Sequence, residues 1–419
     1  MIILVVILIL LALIGTPLFA VMGAGGLVAS HAAELDPSIL IIELYRLASQ
    51  PNLIAIPLFT FAGITLASGD GTKRLIKLFN ALLGWMPGGL AIVTIVSCSV
   101  FTAFTGASGV TIIALGALLY PMLEHAQYRQ RFCLGLLTTS GSLGLLFPPS
   151  MAILLYGIVS GVSIDDLFLS GMMPGLVLLL MLSIFSIYSA PKLDTPKHDF
   201  SWHRIIIALR ESIWDIMMPV LIFTGIFCGF VTITEVAALT AAYVLFLETV
   251  ISKKIHLIRD LPHILIDTTT LVGSILIILG VAMGLTNLLI DSQLPMKLLA
   301  VIEQHVDSQL QFLLLLNLFL LIVGAMMDIF SAIVVVVPLI IPLALRYNVD
   351  PVHLGIIFLA NLEIGYMTPP VGINLFIASQ RFKQPILKLF HSTFPFLIIM
   401  LIWLLMITYI PFLTTWWQD

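Results

Sequence analysis

The chain has 419 residues, of which 60% are hydrophobic and only 10% charged. Its mean hydropathy is +1.16, whereas a soluble protein carries about 25% charged residues. This composition describes a polytopic membrane protein. The net charge of −4 is spread thinly, so no polybasic tail or acidic arm points to nucleic acid as a partner.

The N-terminal run MIILVVILILLALIGTPLF lacks a basic n-region and a small-residue cleavage site followed by a polar chain. It is expected to be the first transmembrane element rather than a cleaved signal. Further apolar segments follow at Leu53–Ser68, Gly88–Phe104, Val110–Leu123, Cys133–Val162 and Leu167–Ala190. After a mixed connector, Pro191–Glu211, come Ile213–Phe230, Val236–Ile251, Ile264–Ile290, Leu310–Met327, Ala332–Leu345, Leu354–Ser379 and Ile386–Leu413. A full helical span needs about 20 apolar residues. Gly88–Leu123 and Leu310–Leu345 each read as two half-length helices meeting at Thr105–Gly109 or Asp328–Ser331, the pattern of a re-entrant hairpin. Cys98, Cys133 and Cys228 lie far apart in apolar runs and read as small core residues.

Two segments carry adjacent prolines where a helix would otherwise continue: Pro148-Pro149 in LGLLFPPSMAILLY and Pro369-Pro370 in IGYMTPPVGINLF. Proline removes a donor and clashes with the preceding turn. Hydrocarbon tolerates such a break only where protein or a water-filled cavity satisfies the freed groups. An offset of 221 residues (369 − 148) carries the first break onto the second. It also carries Pro121 onto Pro342, Pro174 onto Pro395, Gly63 onto Gly284, Asp70 onto Asp291 and the tip residue Ala107 onto Asp328.

Cytoplasmic loops carry the Lys/Arg excess. Around the first hairpin stand Lys73, Arg74, Lys77, Arg129 and Arg131; around the second, Lys297 and Arg346 stand among Asp291, Glu303, Asp307 and Asp350. Beyond the broken helices the bias reverses, with Asp165 and Asp166 against Arg381, Lys383 and Lys388. The repeat therefore reads as inverted. The expected organisation is a first repeat over 1–190 (hairpin 88–123, broken helix 132–162), a cytoplasmic linker over 191–212, and a second repeat over 213–419 (hairpin 310–345, broken helix 353–380). Mirror symmetry requires two short spans within Ile2–Ser30, turning at Gly15-Thr16-Pro17.

Inverted repeats with paired broken helices point to a secondary transporter with its site near the midplane. Half-helix N-termini offer N–H groups to an anion and half-helix C-termini offer carbonyls to a cation. The first tip holds Thr105, Gly106, Ala107, Ser108 and Gly109. Ser140 and Ser142 precede Pro148, Pro149 and Ser150. Neutral oxygens of this kind suit Na⁺ better than a transition metal, although small residues also serve close helix packing. The second tip holds Asp328 and Ser331. An intramembrane carboxylate is a functional candidate, and a helix cap is the alternative. Glu363 stands before Thr368, Pro369, Pro370 and Gly372, and serves either ion coupling or structural pairing. Glu235 reads as a helix-start carboxylate. No HExxH, P-loop or Ser–His–Asp pattern supports an enzyme.

The blocks FTAFTGASGVTIIALGALLYPML, LGLLTTSGSLGLLFPPSMAILLYGIVSGVSIDDLFLSG, MDIFSAIVVVVPLIIPLA and HLGIIFLANLEIGYMTPPVGINLFIAS resemble the large membrane subunit of tripartite ATP-independent periplasmic (TRAP) transporters. The resemblance runs essentially the whole length. It implies an all-α, elevator-type carrier of the ion-transporter superfamily in the bacterial inner membrane. Such a carrier uses a Na⁺ gradient, and no other cofactor, to import organic acids delivered by a periplasmic binding protein. A separate small membrane subunit would brace it, and that subunit is not expected to be fused at this N-terminus.

The resemblance also implies paired sodium sites, with Thr105, Ser108, Ser142, Asp328 and Thr368 as oxygen donors. Many members read GxSGSS at the first tip where this chain reads FTGASG, so which hydroxyl replaces the missing serine stays open. The alternative within transport is a stand-alone sodium/dicarboxylate symporter of the same superfamily. An enzyme or a channel would explain the paired breaks less well.

Overall fold

The computed structural model describes residues 7, 16, 18–32, 36–191, 200–228, 231–291, 306 and 308–418. Apart from residue 7, the first of the two short spans expected within Ile2–Ser30 lies outside them, as do Lys192 and Lys197 of the linker and Lys297, Glu303 and Asp307. Among the described residues every regular element is helical. Among the described residues eight helices are long and apolar enough to cross a membrane, or nine if the bent pair around Pro148 counts as one span.

An outer frame is built from α1 (Leu18–Ala32), α2 (Ser38–Ala48), α3 (Ala55–Ser68), α4 (Gly71–Leu83), α10 (Trp202–Phe227), α11 (Ile233–Phe246) and α12 (Leu261–Asp291). An inner body contains α5 (Gly89–Thr105), α6 (Ser108–His125), α7 (Gln130–Ser140), α8 (Met151–Ser160) and α9 (Ile164–Ser189). It is completed by α13 (Gln309–Met326), α14 (Ile329–Arg346), α15 (Pro351–Gly365), α16 (Ile373–Phe382), α17 (Ile386–Tyr409) and the short α18 (Phe412–Thr415). The order hairpin, broken helix, long helix thus occurs twice in the inner body. In the frame, α3 packs on α11, and α12 packs on α1, α2 and α3.

Local chemistry sets the boundaries. α5 starts after Gly88 and ends at Gly106, both in the left-handed region (φ 71° and 65°) that glycine enters without a Cβ penalty. The Asp350 carboxylate accepts from the N–H groups of Val352 (2.8 Å) and His353 (3.1 Å), with Pro351 at the first helical position of α15. Thr232 and Glu235 form a reciprocal capping box at the start of α11, the helix-start role expected of Glu235.

Four features differ from the sequence expectation, the simplest being that Cys228, read as a small core residue, is exposed. The hairpin arms are not half-length: α5, α6, α13 and α14 have 17, 18, 18 and 18 residues, about 26 Å each at 1.5 Å per residue. The connector Pro191–Glu211 is helical from Trp202, because Ile205, Ala208, Ser212 and Asp215 recur on one buried face of α10. α2 and the amphipathic α4 form helices where no span was expected; neither is long enough to stand out as an apolar run.

α4 and α10 are tied by a buried ionic node. Arg74 donates from Nε to Asp215 Oδ2 (2.6 Å), from one terminal nitrogen to Asp215 Oδ1 (2.9 Å) and Glu248 Oε1 (2.7 Å), and from the other to Ser252 Oγ (2.9 Å). Burial by itself would lower the Arg74 pKa. The hydrogen bonds and charge of Asp215, then of Glu248, outweigh it and raise the pKa above its ordinary value.

One very close backbone approach in the inner body joins α13 to α15. A Cβ built on Gly365 would lie 2.3 Å from the Gly324 carbonyl carbon and 2.5 Å from its Cα. Gly365→Ala is therefore expected to destabilise the folded protein by about 1–3 kcal/mol or more. Gly273→Ala, with nothing within 4 Å of the added carbon, is expected to be neutral or slightly stabilising. Thermal unfolding of both variants in detergent checks this; equal midpoints would contradict the packing described.

Candidate functional site

The first tip is the two-residue turn between α5 and α6. Gly106 N–H bonds back to Thr102 O (2.8 Å) and closes α5, and Ala107 is extended. A Cβ on Gly106 would meet the side chain of Met151 at 2.6 Å, and one on Gly144 would meet Ser99 O at 2.2 Å. The turn therefore lies flat on the break between α7 and α8. Thr102 Oγ1 donates to Gly141 O (2.8 Å) and pairs with Thr111 Oγ1 (2.7 Å), joining both arms of the hairpin to the TTSGSLG segment. From the frame, α3 approaches so closely that a Cβ on Gly63 would sit 2.2 Å from Phe104 O.

The second tip rests on the second break in the same way. Val371 N–H bonds to Ala325 O (3.1 Å), and Ile329 N–H donates to the buried Tyr366 hydroxyl (2.7 Å). Asp328 caps α14: its Oδ2 accepts from Ser331 N–H (3.0 Å), and the Ser331 hydroxyl donates to Oδ1. The capping geometry offered as an alternative for Asp328 is present.

Contacts between the halves are reciprocal. α6 packs on α16 and α14 packs on α8, so each second hairpin arm lies against the other half's broken helix. Ser108 donates from Oγ to Asn374 Oδ1 (2.7 Å), and Asn374 Nδ2 reaches Thr138 O (3.4 Å); both side chains are buried. Glu363 is fully buried. Its carboxylate faces the Ser142 hydroxyl of the other half, with no partner at hydrogen-bonding distance for either oxygen.

The structure thus brings Thr105–Gly109 together with Ser142–Ser150, and Asp328–Ser331 together with Thr368–Gly372. It also brings Glu363 to the first pair. The two breaks differ in exposure: Pro148, Pro149 and Ser150 are buried, whereas Pro369, Pro370 and Val371 are exposed. Gly372 enters the left-handed region (φ 54°) to start α16.

The oxygens at the site fall into two sets. Thr105 donates to Phe101 O (3.0 Å), Ser142 to Thr139 O (3.3 Å) and Thr368 to Ile364 O (3.1 Å). Each hydroxyl uses its one hydrogen and keeps lone pairs. Ser140, Ser150 and Thr139 hydroxyls are buried with no partner, a costly state. Among the described residues, no cluster of three His, Cys, Asp or Glu side chains could hold a metal ion.

The helix starts around the breaks also have spare capacity. α6, α8 and α16 have no side-chain cap, and only α14 has one. Sequence reading missed Thr102, Thr111, Tyr366 and Asn374. Asn374 was the detectable one, a lone amide in the apolar run after PPVG.

Paired hairpin tips seated on paired broken helices, inside an all-helical frame, define a polytopic membrane transporter. The family model "Tripartite ATP-independent periplasmic transporter, DctM component" matches residues 2–413. The chain belongs to this family, the large permease subunits of TRAP transporters, and is a multi-pass protein of the bacterial inner membrane.

It is 33% identical over 374 residues to the C4-dicarboxylate TRAP transporter large permease protein DctM of Pseudomonas aeruginosa, covering 89% of this chain and 87% of that one. It is 31% identical over 352 residues to the ectoine TRAP transporter large permease protein TeaC of Halomonas elongata, covering 84% and 82%. Among solved structures, the YdaH transporter of Alcanivorax borkumensis superposes with a TM-score of 0.62 at 14% identity, covering 88% of this chain and 86% of that one. That likeness bears on the fold alone.

The Ser108–Asn374 bond is the direct side-chain link from the first tip to the other half's broken helix. A Ser108→Ala, Asn374→Ala double-mutant cycle in thermal stability is expected to be non-additive by about 0.5–3 kcal/mol. Additive losses would show that the two side chains do not act together.

Proposed function

We propose that this chain is the transport subunit of a Na⁺-driven importer of organic anions carrying a carboxylate. The solute is delivered by a periplasmic binding protein, and a small membrane subunit supports the permease. The two halves act as inverted repeats, and the inner body moves against the frame in an elevator-type cycle. The work is transport and involves no covalent chemistry. The proposed repeats are 1–190 and 213–419; their boundary falls within α10, whose N-terminal part belongs to the linker.

The observation that carries this reading is the reciprocal seating of each tip on its own break and each second arm on the other half's broken helix. It concentrates three uncapped helix starts and several oxygen donors in one region. Uncapped N–H groups in a low-dielectric interior favour an anion. No Lys or Arg lies within the tips or breaks, so backbone donors would hold the carboxylate. Thr105, Ser108, Ser142, Thr368 and Asp328 supply the oxygens for Na⁺, and Glu363 lies beside Ser142 from the other half. The unequal exposure of the two breaks fits one state of an alternating-access cycle, with the second break open.

The relatives' names differ in solute, C4-dicarboxylate in one and ectoine in the other, so the carboxylate class rests on the site. A stand-alone symporter is the competing reading. Proteoliposomes carrying the chain with its small subunit and binding protein are expected to accumulate a labelled C4-dicarboxylate or related acid only under an inward Na⁺ gradient. Uptake by the chain alone would remove the tripartite requirement, and sodium-independent uptake would remove the ion sites. Asp328→Asn keeps a capping side chain of equal strength and loses the charge. It is expected to keep the fold and weaken sodium dependence; unchanged sodium dependence would reduce Asp328 to its cap.

A further inference from the structure

A second polar feature lies outside the site, between α4 and the first turns of α10. A cleft of about 330 Å³ is lined by Lys77, Asn80, Trp85, Ser201, Arg204 and Glu211, with Ile207 and Ala208 at its base. That volume lies at the lower end of small-ligand pockets. Its charged side chains sum to one positive charge. Lys77 and Glu211 meet only loosely, at 3.4 Å with both side chains largely exposed, a surface pair that constrains little.

The rim is aromatic. Trp85 packs edge-on against Phe200 (centroids 5.4 Å apart), and Phe200 against Trp202 (5.2 Å), with all three rings exposed. Such rings sit where apolar tails meet headgroups. Beyond the rim, α10 presents Ile206, Ile213 and Met217 on an exposed stripe.

We propose that this cleft binds the headgroup phosphate of an anionic glycerophospholipid, with Lys77 and Arg204 contacting the phosphate. Asn80 and Ser201 supply neutral hydrogen bonds, and Glu211 accepts from the headgroup's hydroxyls. The acyl chains lie along Trp202 and the outward stripe of α10. A soluble phosphate would use the cations and leave the aromatic rim and apolar stripe without a role, so the lipid accounts for more of the surface. Juxtamembrane cations attract anionic leaflets. Bound there, the lipid bridges α4 and α10 just beyond the Arg74–Asp215 node, and so braces the frame at the strand of chain leading into the first hairpin. The inference rests on the membrane location of the chain and not on its solute or coupling ion.

The test uses the full chain in dodecyl maltoside, read by native mass spectrometry and thermal unfolding with added phosphatidylglycerol, phosphatidylcholine or inorganic phosphate. Phosphatidylglycerol is expected to give retained adducts and a raised unfolding midpoint, and the other two little change. Lys77→Gln with Arg204→Gln, both exposed positions, is expected to weaken phosphatidylglycerol binding about tenfold or more, read against the variant's own lipid-free midpoint. Equal binding of phosphatidylcholine, equal stabilisation by inorganic phosphate, or full retention of adducts in the double variant would each overturn the assignment. Because the readout is lipid binding rather than uptake, its failure would leave the transport reading intact.

Discussion

A backbone interrupted inside an apolar body must have its freed N–H and C=O groups satisfied by something other than its own helix. In this protein the hairpin tips meet that requirement. At the first break Gly141 O receives the Thr102 hydroxyl; at the second, Ala325 O receives the Val371 N–H and the Tyr366 hydroxyl receives the Ile329 N–H. Tip and break are therefore one unit, and neither would be stable in a membrane interior without the other. The glycines follow from the same constraint: Gly63, Gly144 and Gly365 stand where backbones approach too closely for any side chain.

What the tips leave unsatisfied is where ligands would go. The N–H groups at the starts of α6, α8 and α16 have no side-chain cap, and the buried hydroxyls of Thr139, Ser140 and Ser150 have no partner. Unpartnered donors and hydroxyls beside broken helices are what a transport site can offer a ligand. The frame is built differently. Its Arg74 node engages four of the five guanidinium N–H groups with Asp215, Glu248 and Ser252.

Much of this was legible in the sequence because prolines and glycines punctuate a backbone regardless of tertiary context. Pro148-Pro149 and Pro369-Pro370 marked both breaks, Gly106 marked one tip, and the offset between the proline pairs placed the other tip at Asp328. Hydropathy failed where helices are not uniformly apolar: α4 and the first turns of α10 are amphipathic, and their polar faces read as a hairpin-flanking loop and as linker. Long-range partners were invisible for a plainer reason. Ser108 and Asn374 are 266 residues apart, and no local pattern pairs a tip serine with an amide in the other half. Glu363 was visible as an intramembrane carboxylate, but its neighbour Ser142 belongs to the opposite half and emerges only from the fold.

The proposed sodium site at the first tip-on-break unit uses neutral oxygens at Thr105, Ser108 and Ser142. The most direct measurement is the unfolding midpoint of the purified chain in sodium chloride against potassium chloride at equal ionic strength. Sodium is expected to raise the midpoint as a saturable function of concentration, as binding to the native state requires, and Ser142→Ala is expected to diminish that rise. The same midpoint in both salts across the full concentration range would contradict the account.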